Sequence, residues 1–297
     1  MKSLTFIGGS GFIGKSFIDV YKKGLLKKFK ISYINIICRN NFKIKKKSNK
    51  INIILADMEK LKILPKTDFY IYAIEPPSGF SIDQNKQIIK YKKSINNFYE
   101  LIKNNKNSKA IYLSSGIVEQ FLKGSKIKGY KKAYAVAKLN SEKKFKEFRK
   151  IGIKSTIARC YTFVGPHLPL NKHYAIGNFI NDGMKKKYIY VKASGKIFRS
   201  YMYADDMIIW ILSVLYKAKI SCPIYNIGSN KKISIKDVAI LIGKIFKKDV
   251  LFLKKESSDR DIYVPNVSKT MKDFNLIEKY DLKKAIKQTV NKIVDNN

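Results

Sequence analysis

The chain has 297 residues, of which 45% are hydrophobic and 12% aromatic, with only 16 glycines and 7 prolines. That composition supports a sizeable core and excludes disordered, collagenous and linker-dominated classes. The 61 Lys+Arg against 22 Asp+Glu, a formal +39, raise nucleic acid or an anionic membrane as partners, but the lysines are spread over the whole chain rather than patterned.

The first apolar run, Leu4 to Ile7, ends in Gly8-Gly9-Ser10-Gly11-Phe12-Ile13-Gly14 and leads into an amphipathic stretch from Lys15 to about Lys23. This predicts strand, tight glycine turn, helix. Further strands are expected at Ile31–Cys38, Ile51–Ala56, Phe69–Ile74 (stopped by Pro76-Pro77), Ala110–Leu113 and Ser155–Arg159. Helical spacing covers Ile82–Ile102 and Tyr134–Phe148. Strands alternating with helices at this interval predict an α/β fold with a doubly wound parallel sheet of Rossmann type. After Gly165-Pro166 the pattern loosens. His167–Ala175 reads as a loop, with helices at Phe179–Met184, Met207–Tyr216, Ile235–Phe246 and Asp281–Val294, and a strand at Tyr188–Val191. The expected division is 1–165, binding a dinucleotide, and 166–297, a smaller mixed α/β substrate domain with some segments returning to the first. The clusters Lys43–Lys50 and Lys185–Lys187 read as solvated loops.

Several functions are disfavoured. No run of ~18 apolar residues is present to span a membrane, and the glycines follow the N-terminus too early for a signal peptide. Cys38, Cys160 and Cys222 are widely spaced with no CxxC, so neither a disulfide framework nor a metal site is expected, and a reduced cytoplasm is the simplest address. Lys, Ile, Asn, Tyr and Phe are over-used together, as AT-rich coding produces, so no specific nucleic-acid partner is expected; the positive field still favours an anionic substrate and weak, salt-sensitive contact with polyanions. Arginine is retained only at Arg39, Arg149, Arg159, Arg199 and Arg260, candidates for the planar fork that lysine cannot copy.

Gly8, Gly11 and Gly14 fall at i, i+3 and i+6 between first strand and first helix. Glycine suits a backbone that must turn tightly and approach a pyrophosphate at a helix N-terminus. At the end of the second strand stands Arg39, with no carboxylate to bond the ribose of NAD. Arg39 can hold a 2′-phosphate, which favours NADP over NAD; the alternative is a surface arginine. Asp57 can accept from the adenine amino group or act as a helix cap.

Tyr134 and Lys138 are spaced i, i+4, so phenol and ammonium share a helix face. A neighbouring ammonium and a nicotinamide cation lower the phenol's pKa from near 10. The phenolate can then take a proton from a sugar hydroxyl as hydride leaves. Ser115, at the C-terminal end of the fifth strand where open α/β sheets place ligands, can hold the same hydroxyl, and Ser114 reads as a turn residue beneath the nicotinamide.

With these motifs the chain resembles the extended short-chain dehydrogenase/reductases, in the NAD-dependent epimerase/dehydratase family that modifies nucleotide sugars. The match continues through Arg159 to Gly165-Pro166, Gly177-Asn178-Phe179, Arg199-Ser200-Tyr201 and Tyr225-Asn226-Ile227-Gly228. The resemblance implies catalysis by Ser115, Tyr134 and Lys138. It implies cofactor binding by Gly8, Gly11, Phe12, Ile13, Gly14, Arg39, Asp57, Ala73, Ser114, Tyr134, Lys138 and Tyr161. Substrate binding falls to Thr162, Asn178 and Arg199, with Arg260 as a further candidate. Arg159 is equally read as a buried arginine supporting the loop before Gly165-Pro166. The family's 4,6-dehydratases carry Asp-Glu directly after the catalytic Ser/Thr; Gly116-Ile117 stand here, which points to epimerisation or keto reduction. Glu119 is out of register and reads as surface, while Glu75 faces either the sugar or a loop. His167 and His173 lie in the substrate loop with no metal or hydrolytic constellation.

The expectation is therefore an NAD(P)-dependent nucleotide-sugar epimerase or 4-ketoreductase, with a 4,6-dehydratase or a non-catalytic nucleotide- or RNA-binding relative as alternatives. The helices Ile82–Ile102 and Tyr134–Phe148 can pair with their copies in a homodimeric four-helix bundle, or simply cover the sheet.

Overall fold

The structure, a computed structural model, describes residues 1–42, 49–76, 84–170, 174–192, 196–254 and 260–295. His173, Pro77, Ile82 and Lys43–Lys47 lie outside the described residues. In chain order the elements are β1 (Lys2–Ile7), α1 (Phe12–Lys22), β2 (Ile31–Cys38), β3 (Ile51–Leu55), β4 (Phe69–Tyr72), α2 (Gln84–Ile102), β5 (Lys109–Ser115), α3 (Gly116–Leu122), α4 (Tyr130–Lys146) and β6 (Lys154–Cys160). Next come β7 (Phe163–Val164), α5 (Ala175–Lys185), β8 (Ile189–Val191), β9 (Lys196–Arg199), β10 (Met202–Tyr203), α6 (Ala204–Tyr216) and β11 (Ile224–Ile227). The last are β12 (Ile233–Ser234), α7 (Ile235–Phe246), β13 (Val250–Phe252), β14 (Arg260–Tyr263), α8 (Ser268–Phe274) and α9 (Leu282–Val294).

The chain forms two compact units, one of Met1–Cys160 with Ile209–Asn226, the other of Tyr161–Ile208 with Ile227–Asn297. A seven-stranded sheet runs in the order β11-β6-β5-β4-β1-β2-β3, and every pairing from β6 to β3 is parallel. β4 and the centre of β5 are buried along their whole length, which is why they read as unbroken apolar runs instead of alternating ones. This is the doubly wound α/β sheet that the alternation predicts.

An aromatic layer holds α2 and α4 to this sheet. Phe145 and Phe148 stack with ring centroids 4.4 Å apart, Tyr112 stacks on Phe145 at 5.1 Å, and Tyr72 meets Phe98 at 5.2 Å. All five rings are fully buried. Such pairs add about 0.5–1.5 kcal/mol each beyond the area they bury. The buried phenols are satisfied: Tyr91 and Tyr112 share a hydrogen bond of 2.6 Å, Ser141 donates to Tyr91, and Tyr72 pairs with Ser94.

The second unit is mixed α/β, as expected. It carries a three-stranded sheet in the order β12-β9-β14 and the two-stranded pairs β10-β7 and β13-β8. α5 packs on α7 at Gly183, where a Cβ would lie 2.4 Å from the Phe246 ring. Ser234 and Asp281 cap α7 and α9 by accepting from the backbone N–H groups of Asp237 and Lys284. Lys185 ends α5 instead of lying in a loop, and Lys186 pairs with Asp182 at 2.7 Å.

Phe145→Ala is expected to destabilise the chain by about 3–5 kcal/mol, measured as a fall in the urea unfolding midpoint at unchanged slope; a loss below ~1 kcal/mol would contradict the role given to this layer.

Candidate active site

The glycine turn is fixed by sterics. Gly8 has a φ of +89°, and a Cβ there would lie 2.9 Å from the carbonyl carbon and oxygen of Ala73. A Cβ on Gly14 would lie 2.3 Å from the carbonyl oxygen of Gly9, so this residue sets how closely α1 enters the turn. Gly11, the N-cap of α1, is different: its Cβ would meet only the Gly8 carbonyl, at 3.8 Å. The first turn of α1, which contains Phe12 and Ile13, holds no acidic residue and receives no side-chain cap from Gly11. The unpaired N–H groups and positive end of the helix dipole thus meet no carboxylate of their own there. The turn fits a dinucleotide pyrophosphate.

Three more residues expected at the cofactor lie at or just beyond strand ends of the same unit. Arg39 is exposed just beyond β2. Asp57 follows β3 and its carboxylate accepts from the Glu59 N–H at 3.2 Å, a turn contact; no helix lies between β3 and β4, so Asp57 is not a helix cap. Ala73 extends β4, donating its N–H to Ile7.

The catalytic candidates cluster at the C-terminal end of β5. Lys138 is only 1% exposed. Its ammonium donates to the Leu113 carbonyl at 2.8 Å and lies 5.1 Å from the centre of the Tyr112 ring and 5.8 Å from that of Tyr134. The structure thus brings the two members of the i, i+4 pair together. Burial lowers the Lys138 pKa, opposed by the charges of Glu75 and Glu142. Burial holds the Cys160 thiol up at about 12, so it is neutral near pH 7. Ser115 ends β5 and caps α3, its hydroxyl accepting weakly from the Ile117 N–H at 3.4 Å.

Next to this pair lies a buried ion pair that spacing did not reveal. Glu142, one turn beyond Lys138, accepts from Arg159 twice, at 2.9 and 2.8 Å, and from the Ser114 hydroxyl at 2.6 Å. Arg159 is thus a largely buried structural arginine whose partner is a helix carboxylate. The side chain of Ser114 is turned to that carboxylate.

Glu119 corrects the surface reading. Its carboxylate accepts from Asn226 at 2.9 Å and from Lys123 at 2.5 Å, and the side chain is 20% exposed. Gly116 begins α3 without a break after β5, and this helix carries Glu119 towards the Asn226 side chain; a glycine in that place masked the helix in the sequence.

In the second unit, Tyr161 packs on Tyr263 with centroids 4.8 Å apart. Gly228 lies against Tyr161, where a Cβ would approach to 3.0 Å, which accounts for the glycine of the Tyr225–Gly228 motif. The Thr162 hydroxyl is buried with no hydrogen-bond partner among the described residues. Asn178 is exposed in the first turn of α5. Arg199 already has a protein partner: it forms an ion pair with Asp261 at 2.7 Å and also donates to the Phe198 carbonyl. Arg260 opens β14 and is exposed, while His167 is half-buried.

Residues 5–228 match the NAD dependent epimerase/dehydratase family. A dTDP-D-glucose 4,6-dehydratase of Dictyostelium discoideum is 28% identical over 277 residues, covering 80% of this chain and 61% of that protein. The chain spans less than two thirds of the curated relatives it matches. Among solved structures, the UDP-N-acetylglucosamine 4-epimerase of Methanobrevibacter ruminantium M1 has a TM-score of 0.82 at 18% identity, covering 100% of this chain and 99% of that one. The UDP-glucuronic acid 4-epimerase of Bacillus cereus, solved with UDP-glucuronic acid and NAD, has a TM-score of 0.80 at 19% identity, covering 99% and 100%. These likenesses establish the fold.

The glycine geometry predicts a split between two variants. Gly11→Ala is expected to keep the melting temperature while weakening dinucleotide binding about 10–100-fold, as a Cβ meets the pyrophosphate. Gly14→Ala is expected to lower both, since the clash is with backbone. Calorimetric titration and thermal melts check this; equal melting losses would contradict the distinct roles.

Proposed function

The chain belongs to the NAD-dependent epimerase/dehydratase family of enzymes, and from that premise we propose that it is an NAD(P)-dependent nucleotide-sugar epimerase or 4-ketoreductase with Tyr134 as its general acid and base. The observation that carries this reading is the buried Lys138 ammonium, held on the Leu113 carbonyl one helical turn from Tyr134.

The cofactor is proposed to lie on Gly8, Gly11, Phe12, Ile13 and Gly14, with Ala73, Asp57, Ser114 and Tyr161 beside it. When bound, it supplies a nicotinamide able to accept or return hydride. Arg39, with no carboxylate at the end of β2, favours the 2′-phosphate of NADP over NAD. Tyr134 as phenolate removes the proton from a sugar hydroxyl and, as phenol, returns it to the carbonyl oxygen of the keto-sugar, whichever face of its carbon receives hydride. Lys138 holds a positive charge beside that phenol and stabilises its ionised form. Ser115 donates to the same sugar oxygen. Thr162, Asn178, Arg199 and Arg260 are proposed to hold the nucleotide sugar, Arg199 exchanging Asp261 for the diphosphate.

The residues after Ser115 favour epimerisation or keto reduction over dehydration. Gly116 and Ile117 carry no acid, and the Glu119 carboxylate is engaged by Asn226 and Lys123. The proposed division of labour gives residues 1–165 to the cofactor and 166–297 to the substrate, with some segments returning. The proposed setting is the cytoplasm; among the described residues no helix is long and apolar enough to cross a membrane.

A homodimer through α2 and α4 is also proposed. A groove of about 700 Å³ lies between these helices, with Ile88, Ile95, Ala133 and Val136 among its lining and Lys92, Lys132, Lys143 and Lys144 around it. Two copies would bring these lysines together, so association should strengthen as salt screens them. Light scattering is expected to show mass rising towards twice that of the chain with added salt; a monomer at every salt concentration contradicts the dimer.

A panel of sugar nucleotides incubated with the protein and either cofactor tests the activity. Tyr134→Phe is expected to lower turnover about 10²–10⁴-fold with little change in substrate affinity. Unchanged turnover, or no conversion of any sugar nucleotide by the unaltered chain, would overturn the reading.

A further inference from the structure

We propose that Glu142, clamped by Arg159 and Ser114, is the residue that balances the charge around Lys138, and with it around the phenol of Tyr134, beside the end of β5. This rests on the reading of Tyr134 and Lys138 given above.

The geometry starts from one helix face. Tyr134, Lys138 and Glu142 are spaced i, i+4 and i+8 on α4, a stack of three turns. The lower two grip consecutive residues of β5: Lys138 donates to the carbonyl of Leu113, and Glu142 accepts from the hydroxyl of Ser114. Ser114 is paired in register with Arg159 on β6, and Arg159 returns to the same carboxylate through two bonds of 2.9 and 2.8 Å. Helix and two strands are therefore locked at one point, and the next residue of β5 is Ser115. The fork is bidentate and buried, with side-chain exposures of 12% for Arg159 and 2% for Glu142, so it fixes orientation as well as distance.

The clamp also balances charge. The groups that act on the Lys138 ammonium are Glu75 beyond β4, Cys160 at the end of β6 and Glu142 on α4, with the Tyr112 and Tyr134 rings beside it. Glu142 favours the charged ammonium, and Arg159 neutralises the surplus charge of Glu142. Removal of either partner leaves an uncompensated charge in a site that screens poorly. The two removals therefore act on the phenol with opposite sign, whereas a bond that serves only to hold the fold gives effects of one sign.

Ultraviolet titration of the full chain, with the Tyr134→Phe trace subtracted in each background, isolates the ionisation of Tyr134. Glu142→Gln leaves Arg159 unopposed and is expected to lower the midpoint by about one pH unit. Arg159→Gln leaves Glu142 unopposed and is expected to raise it by about as much. The double variant is expected to return close to the unaltered midpoint. Should one single variant fail to fold, the sign of the other carries the test. Two shifts in the same direction, or lowered melting temperatures with no shift, overturn the proposal and leave the role of Tyr134 intact. A flat difference trace in the unaltered chain overturns that role and this proposal with it.

Discussion

A cationic side chain sealed inside a protein is the constraint from which this site is built. Moving an ammonium out of water costs several kcal/mol unless its hydrogen bonds and charge are answered. At Lys138 the answer is local: the Leu113 carbonyl accepts one bond, and the fields of Glu75 and Glu142 favour the charge. Because the carbonyl belongs to the end of β5, α4 has little freedom to slide along the sheet. Tyr134 is held one turn before the lysine and Glu142 one turn after it. The aromatic layer of Phe98, Tyr112, Phe145 and Phe148 packs the same helix from below, so the polar contacts set register while the rings supply the adhesion.

The extreme lysine content sharpens the meaning of the arginines. Arg159 and Arg199 both meet carboxylates, Glu142 and Asp261. The physical contexts differ. The Arg159 pair is buried, and loss of one partner would strand the other. The Arg199 pair is more exposed, with Asp261 half open to solvent, so it is worth little to stability and can be exchanged for a stronger anion. The first pair thus cannot be opened without a large loss, whereas the second opens at little cost.

The glycine turn and the Tyr134–Lys138 pair were readable in the sequence because each rests on short-range geometry. A positive φ, a close backbone approach and an i, i+4 spacing leave a local signature. The parallel sheet was readable for a similar reason, since strands buried on both faces become unbroken apolar runs. Glu142 was not readable, although it continues the same spacing. In a helix where polar residues surround it, nothing local says that this carboxylate faces inward or that Arg159 waits on the neighbouring strand. Asp261 lies 62 positions from Arg199, joined to it only by the pairing of β9 with β14. Those strands, like β7, β10 and β12, have two to four residues, too few for a period to emerge. That some later segments return to the first unit was an expectation of the sequence, but that Ile209–Asn226 are those residues is a tertiary fact.

The most direct measurement is a rapid-mixing experiment in which the protein loaded with oxidised cofactor meets a sugar nucleotide and reduced nicotinamide is followed by absorbance. If the phenol beside Lys138 is the proton acceptor, absorbance rises within one turnover, and the rate climbs with pH until that phenol is ionised. A rise of the same rate and pH dependence from protein carrying phenylalanine at position 134 would contradict the account.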